Sequence, residues 1–185
     1  MKRNSQKLRG YTAIEVLLVA SIVGLIPIGV YMEAYKKAEA SSCMSNLRNV
    51  YIAVQMYEMD FERMPDIKFY PKSASEKGSI TEMLTHYIDD ENVYICPAMP
   101  DELKEKGLTY IWNDNYNGKM LYSINDKAAK WLMTEMTAVK PEIPAPHNGA
   151  YNVLFLDGHV ENVKRAVHIH PSPAGLRKDG GYCMR

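Results

Sequence analysis

A charge excess of either sign, cysteine and phenylalanine are what this sequence has little of. Lysine plus arginine and aspartate plus glutamate both number 22, so no global basic field points to nucleic acid as a partner. Three cysteines, Cys43, Cys96 and Cys183, allow one bonded pair with one thiol left over. Three phenylalanines stand against thirteen tyrosines, an aromatic set suited to wet, polar interfaces more than to a large dry core. There is no internal repeat and no low-complexity tract. At 185 residues the chain has room for one domain beyond any anchor, on the usual scale of about 100–200 residues per domain.

Charge is missing altogether from Val16 to Met32, a run rich in Leu, Val and Ile. Its length sits at the short edge of the roughly 17–25 residues that span a bilayer as a helix. Lys2, Arg3, Lys7 and Arg9 precede it, which puts the N-terminus on the cytoplasmic side by the positive-inside rule. A secretory signal peptide would place a small-x-small site after the core, where Tyr31, Met32, Glu33 and Tyr35 stand instead. A plain single-pass anchor leaves Glu15 unexplained, because an ionisable group in a spanning segment marks a function with a partner.

The stretch Gly10-Tyr11-Thr12-Ala13-Ile14-Glu15, set directly against that run, resembles the processing site of type IV pilins and the pseudopilins of type II secretion. The resemblance implies a prepilin peptidase that cuts between Gly10 and Tyr11 and methylates the new N-terminus. It also implies that Glu15 is the family's acidic position, used in assembly. Tyr11 departs from the family's usual Phe.

Beyond the apolar run a helical period continues. Ala40, Cys43, Leu47, Val50, Val54, Tyr57 and Phe61 recur in steps of three and four, the spacing of one helical face. One helix from about 11 to 60 follows, on the order of 75 Å long, with Pro27, Gly24 and Gly29 as interruptions in its first half. Residues 63–78 read as a loop. Ser79 with Glu82 reads as a capping box opening a helix over 80–89. Residues 93–97 read as a short extended piece, and 108–114 and 119–124 as strands flanking the turn signal Asn117-Gly118. A strand follows at 131–136, then a proline-rich loop at 140–147. Residues 150–156 and 159–164 flank a second signal, Asp157-Gly158, with both turn residues at positive φ. That register puts Leu156 opposite His159 and turns Tyr151, Val153, Phe155 and Val160 toward the helix.

The second half adds to the resemblance. His147, nine residues and Asp157-Gly158 repeat the His-x9-Asp-Gly signature of one pseudopilin-like group, preceded by Cys96-Pro97 and Tyr110-Ile-Trp-Asn113 in the group's order. The fold expected is α+β and pilin-like: a long N-terminal helix, membrane anchor in its first half, packed on a small antiparallel sheet. The domains expected are a cytoplasmic leader over 1–10, a transmembrane or filament-core helix over 11–32, a periplasmic globular domain over 33–164 and a loose tail over 165–185.

Chemistry finds less support. His168 and His170 would share one side of a strand, but zinc needs three or four ligands and none sits at ligand spacing nearby. A nucleophilic pair of Cys96 with His147 or His159 lacks the cationic setting that reactive thiols occupy. Glu135, Glu142 and Asp157 are a thin set for the six to eight oxygens of calcium. No catalytic residue and no metal ligand is therefore expected, calcium being the one cofactor left open. Cys43 lies on the helix stripe and Cys96 ends an apolar piece that packs on it. They are a candidate disulfide, worth roughly 2–4 kcal/mol, or two buried free thiols. Asp157-Gly158 and His147 are expected to play separate structural roles at a turn and a loop.

The function expected is a non-enzymatic structural subunit of a pilin-like filament, a type II secretion pseudopilus by the resemblance, placed in the inner membrane with its C-terminal domain outside. Partners would be the prepilin peptidase, copies of itself and related subunits, the assembly platform and the membrane, with no nucleic acid. The alternatives are a minor pilin of a type IV pilus, an anchored binding module that does not polymerise, and a periplasmic enzyme on a signal anchor.

Overall fold

The computed structural model describes residues 12–24, 28–139 and 143–164. The chain divides into two units, residues 1–35 and 36–185.

In the first unit, helix α1 (Ala13–Gly24) begins at a local device that its sequence spells out. The Thr12 amide donates to Glu15 Oε2 at 2.8 Å, and the Glu15 amide donates to Thr12 Oγ1 at 3.3 Å. This reciprocal exchange is a capping box, which satisfies two of the amides a helix start leaves unpaired. The described residues of the apolar run lie in α1 and in the start of α2 (Ile28–Phe61).

This overturns the anchored architecture. Among the described residues no helix is long and apolar enough to cross a membrane. The 12 described residues of α1 rise about 18 Å, against a hydrocarbon core of roughly 30 Å. The expected transmembrane helix, the membrane-anchor half of the fold and the single-pass inner-membrane location are corrected accordingly. The architecture that stands is α+β, a helix with a small antiparallel sheet.

The second unit takes its core from the periodic face of α2. Cys43, Leu47, Val50 and Val54 are buried without residue, Tyr57 is half-buried, and Phe61 is exposed. The stripe therefore ends one turn before the helix does. Four strands, β1 (Tyr110–Trp112), β2 (Trp131–Glu135), β3 (Tyr151–Phe155) and β4 (Val160–Val163), pair antiparallel in sequence order. β2 and β3 are buried along their whole length, so neither shows the in–out alternation of a one-sided sheet. Leu154, Leu156 and Val160 belong to the core that holds the α2 stripe. Tyr151, Val153, Phe155 and Trp131 form a second cluster, packed with Phe69 and Ala138.

That arrangement reverses the expected face of β3, because the hairpin register differs by one residue. Leu154 pairs with Val160, and the Phe155 amide donates to the His159 carbonyl at 3.0 Å. Gly158 is at φ +90°, while Asp157 has no positive φ. The Gly158 amide donates to the Phe155 carbonyl at 3.0 Å. These are the marks of a three-residue connection, a turn closed by a left-handed glycine, and not of a two-residue loop. A one-residue slip moves every side chain to the other face.

Asn117-Gly118 is not a hairpin either. Asn117 (φ −53°, ψ 133°) followed by Gly118 (φ +67°) is a type II turn, closed by the Lys119 amide on the Tyr116 carbonyl at 3.2 Å. The chain beyond it pairs with Met64 instead of β1, through two backbone bonds of 2.8 and 3.1 Å. It then forms a 3-10 turn at Leu121–Ser123 where a strand was expected. The helix begun by Ser79 is only Ile80–Leu84 (α3), although its cap forms as expected, with the Glu82 amide donating to Ser79 Oγ. One further turn of helix, α4 (Asp101–Lys104), was not anticipated.

Candidate functional site

Four segments deliver polar side chains to one point in the core of the second unit. Cys43 comes from the apolar stripe of α2. Cys96 comes from the connection after a 3-10 turn at Glu91–Tyr94, and its amide donates to Thr109 Oγ1 at 2.6 Å. Glu135 ends β2, where both faces of the sheet are covered and a side chain has no route to water.

His147 is placed by a turn. The His147 and Ala150 backbones exchange hydrogen bonds of 3.2 and 3.1 Å, and Asn148 and Gly149 between them have φ of +54° and +79°. Positive φ at both central residues is the type I′ geometry for which Asn-Gly is the preferred pair. His147 is thereby set opposite the first residues of β3, whose Asn152 amide donates to both Glu135 oxygens, at 3.2 and 2.9 Å.

The geometry is close. Cys43 Sγ donates to Glu135 Oε1 at 3.1 Å, and Tyr110 Oη lies 3.2 Å from the same sulfur. His147 Nε2 is 3.0 Å from Glu135 Oε1 and 3.4 Å from Cys96 Sγ. One donor atom from each of Cys43, Cys96, Glu135 and His147 lies within 4.8 Å of the others. Both cysteines are free thiols. The pair is thus brought together as the helix stripe implied, but the candidate disulfide is not formed, and each sulfur instead faces the imidazole, the carboxylate or Tyr110.

Burial decides the protonation chemistry. It pushes the Cys43 thiol and the Tyr110 phenol well above their ordinary values. Burial also disfavours a charged His147 ring, but its contacts with Cys43 and Glu135 outweigh this and lift it to about 9. Burial thus favours a protonated Cys43 thiol and Tyr110 phenol, while the polar contacts of His147 favour its charged form.

As a nucleophile relay the arrangement is wrong. A relay uses one imidazole nitrogen for the nucleophile and the other for the orienting acid. Here Cys96 and Glu135 both face Nε2, Nδ1 has no hydrogen-bond partner, and Cys96 is fully buried. As a ligand set it is complete, with two soft sulfurs, one imidazole and one carboxylate.

The other expected site residues lie elsewhere. Gly10 and Tyr11, like Glu142, His168, His170 and Cys183, fall outside the described residues. Glu15 caps α1. Asp157 accepts from the backbone amide and the ring of His159 in its own turn, apart from His147, which pairs with Glu135. Gly158 sits against the Tyr51 ring. Glu135 and Asp157 are not gathered into an oxygen shell for calcium. The convergence of Glu135 with the cysteines and His147 was missed in sequence. A signal was present: Glu135 is the one charged residue in the apolar segment 131–136, and such a group is buried only when paired.

No sequence profile of a known protein family matches the chain, and no solved structure does. The chain is similar to a UPF0301 protein of Pseudomonas syringae pv. syringae (strain B728a), with 33% identity over 86 residues, covering 46% of this chain and 45% of that protein. The chain thus spans less than half the length of that relative, and the match carries no family assignment. The relative found is described as a UPF0301 protein, and no described helix is long and apolar enough to cross a membrane. On these two findings the pseudopilin, pilus, protein-secretion and transmembrane designations taken from the N-terminal resemblance are corrected.

Proposed function

We propose that the chain is a non-catalytic structural subunit that associates with copies of itself through its N-terminal helix. One observation carries this reading. Ile14, Val16, Leu17, Leu18, Val19 and Ile22 of α1 are each 58–70% exposed, and at 100° per residue they cover every side of the helix. A helix that is apolar all round is ordinarily buried, and apolar surface of this extent marks an interaction site. Copies of α1 suit each other as partners because no side of it carries a polar stripe that would have to face water. The N-terminal motif supports the same class of function.

The test is the association state of the full chain. Light scattering and negative-stain imaging should find assemblies for the wild type and dispersed chains for Leu17→Asp with Val19→Asp, the second unit keeping its circular dichroism and unfolding midpoint. A wild-type chain that remains monomeric at high concentration overturns the proposal.

A further inference from the structure

The four-residue cluster in the core has a property that hydrogen bonding alone does not account for. Its ligand atoms converge on one point, and the protons present cannot serve all the contacts at once. The single Nε2 proton of His147 can be directed at Glu135 Oε1 or at Cys96 Sγ, not both, although they lie at 3.0 and 3.4 Å. Glu135 Oε1 is approached by Cys43, by His147 and by the Asn152 amide. Cys96 is left with contacts a thiol makes weakly. A cation at the centre would satisfy all four side chains together.

We propose that Cys43, Cys96, Glu135 and His147 form a closed, tetrahedral site for a divalent cation of the zinc class. The donor set fits: two sulfurs with one nitrogen and one oxygen select zinc among the common divalent ions by softness and geometry. The spacing fits as well. Bond lengths of about 2.3 Å to sulfur and 2.0–2.2 Å to nitrogen or oxygen give tetrahedral edges of about 3.3–3.8 Å. The separations of 3.0, 3.1 and 3.4 Å lie near these edges, and the widest, 4.8 Å, closes by about 1 Å within the rotamer freedom of Cys and Glu. Supporting contacts of the kind that orient metal ligands are in place for Cys43 and Glu135, while His147 Nδ1 has none. Tyr110 faces the Cys43 sulfur, and the Asn152 amide holds the Glu135 carboxylate. With four protein ligands there is no open position, so the role is structural. The ion would tie α2, the connection before Pro97, the end of β2 and the His147 turn to one another.

Binding is an exchange of protons for the ion. Each thiol releases a proton to solvent, and His147 binds through an Nε2 that carries no proton. With the Glu135 carboxylate as fourth ligand, the ion and its four ligands carry one net negative charge.

The decisive experiment uses the full chain with Cys183→Ser, so that Cys43 and Cys96 are the remaining thiols, under a non-chelating reductant. Cobalt(II) is the probe, followed by displacement with zinc. The expected result is one equivalent bound per chain, with sulfur-to-cobalt charge-transfer absorption, the intense visible bands of tetrahedral cobalt, and a higher unfolding midpoint with zinc than with chelator. Cys96→Ser and His147→Gln should each weaken binding by more than the roughly 10–100-fold that loss of an outer-shell partner costs. Zinc should also protect both thiols from alkylation in the unsubstituted chain, a readout that no substitution can confound by unfolding. Absence of stoichiometric binding, an octahedral spectrum without thiolate absorption, or alkylation rates indifferent to zinc would each overturn the site.

Discussion

Residues 12–35 and residues 36–164 break the ordinary rule of burial in opposite directions. In the first stretch, leucines, isoleucines and valines stand in the open on every side of a helix. In the second, a glutamate, a histidine and two cysteines are sealed in the core. Exposed apolar area on the scale of α1 and buried polar groups are both costly to a lone chain. Both are therefore informative where an isolated leucine on the surface would not be. The difference lies in how far each stretch is satisfied within one chain. The buried cluster already has partners for most of its atoms. The helix leaves its large apolar side chains exposed. Substitutions should accordingly be expensive in one stretch and almost free, for folding, in the other.

The largest expected effect is at Glu135. Glu135→Leu removes the acceptor of the Asn152 amide, Cys43 and His147 and leaves a buried imidazole without its counter-charge. Loss of one member of a buried pair costs about 3–5 kcal/mol. Urea unfolding in the presence of chelator measures it. On α1 the matching change, Val19→Ser, should stay within about 0.5 kcal/mol. A Glu135 penalty below about 1 kcal/mol would mean that the cluster is not held by its pairing, and the contrast would fail.

Two glycines give a sharper form of the same test. A Cβ on Gly158 would run into the Tyr51 ring, whose hydroxyl is bound to the Leu156 carbonyl at 3.0 Å, and the residue is at φ +90°. Gly158→Ala should cost about 2–3 kcal/mol, from a strained left-handed backbone and an overpacked contact together. A Cβ on Gly29, inside α2, would meet nothing within 4 Å. Gly29→Ala should be neutral or stabilise by up to about 1 kcal/mol. Equal penalties at the two glycines would contradict the contrast.

These positions also show what was legible in the sequence. The stripe Cys43, Leu47, Val50, Val54 was readable because helical period and burial are both local properties, and it set the side of α2 that became the core. β2, β3 and β4 were readable from their apolar and β-branched residues. The turn chemistry was legible only by type. Both Asn117-Gly118 and Asn148-Gly149 carry the same dipeptide, yet only the second adopts the type I′ geometry. At the first, the Asn117 side chain is committed to tertiary bonds that no local pattern reveals. The register at Gly158 was lost for a similar reason, since β3 is buried on both faces, its Asn152 included, and offers no alternation to index it. The cluster was out of reach of spacing rules because its ligands come from four segments spread between residues 43 and 147. The local clue was the solitary acid of β2.

Asn117 supplies a middle-sized effect. It accepts from Trp112 Nε1 at 2.8 Å and donates to the Ile67 carbonyl at 2.8 Å and to Asp66 at 2.9 Å. Asn117→Ala leaves a part-buried indole N–H unserved and should cost about 1–3 kcal/mol, read as a shift of the urea midpoint. Ser21, whose hydroxyl donates to the Leu18 carbonyl on the exposed surface of α1, should show no measurable change on Ser21→Ala. A null result at Asn117 would mean that the type II turn is held by Gly118 alone.

The smallest effect on folding, and the most discriminating for association, belongs to Glu15. Its carboxylate is fully exposed and held below the usual carboxylate range by hydrogen bonds from the Thr12 amide and hydroxyl. Two roles are superposed there, a cap that needs an acceptor and a negative charge that could meet a cation on a neighbouring copy. Glutamine serves a capping box as glutamate does, so Glu15→Gln keeps the cap and removes the charge, while Glu15→Val removes both. Neither should move the unfolding midpoint of the second unit. If the charge pairs across copies, desolvation within the assembly makes it indispensable, and light scattering should find both variants dispersed. If the cap is the whole role, Glu15→Gln should assemble like the wild type while Glu15→Val assembles poorly because α1 starts badly. Assembly by both variants at wild-type concentration would show that Glu15 contributes nothing to association, and the exposed apolar side chains of α1 would then have to account for it alone.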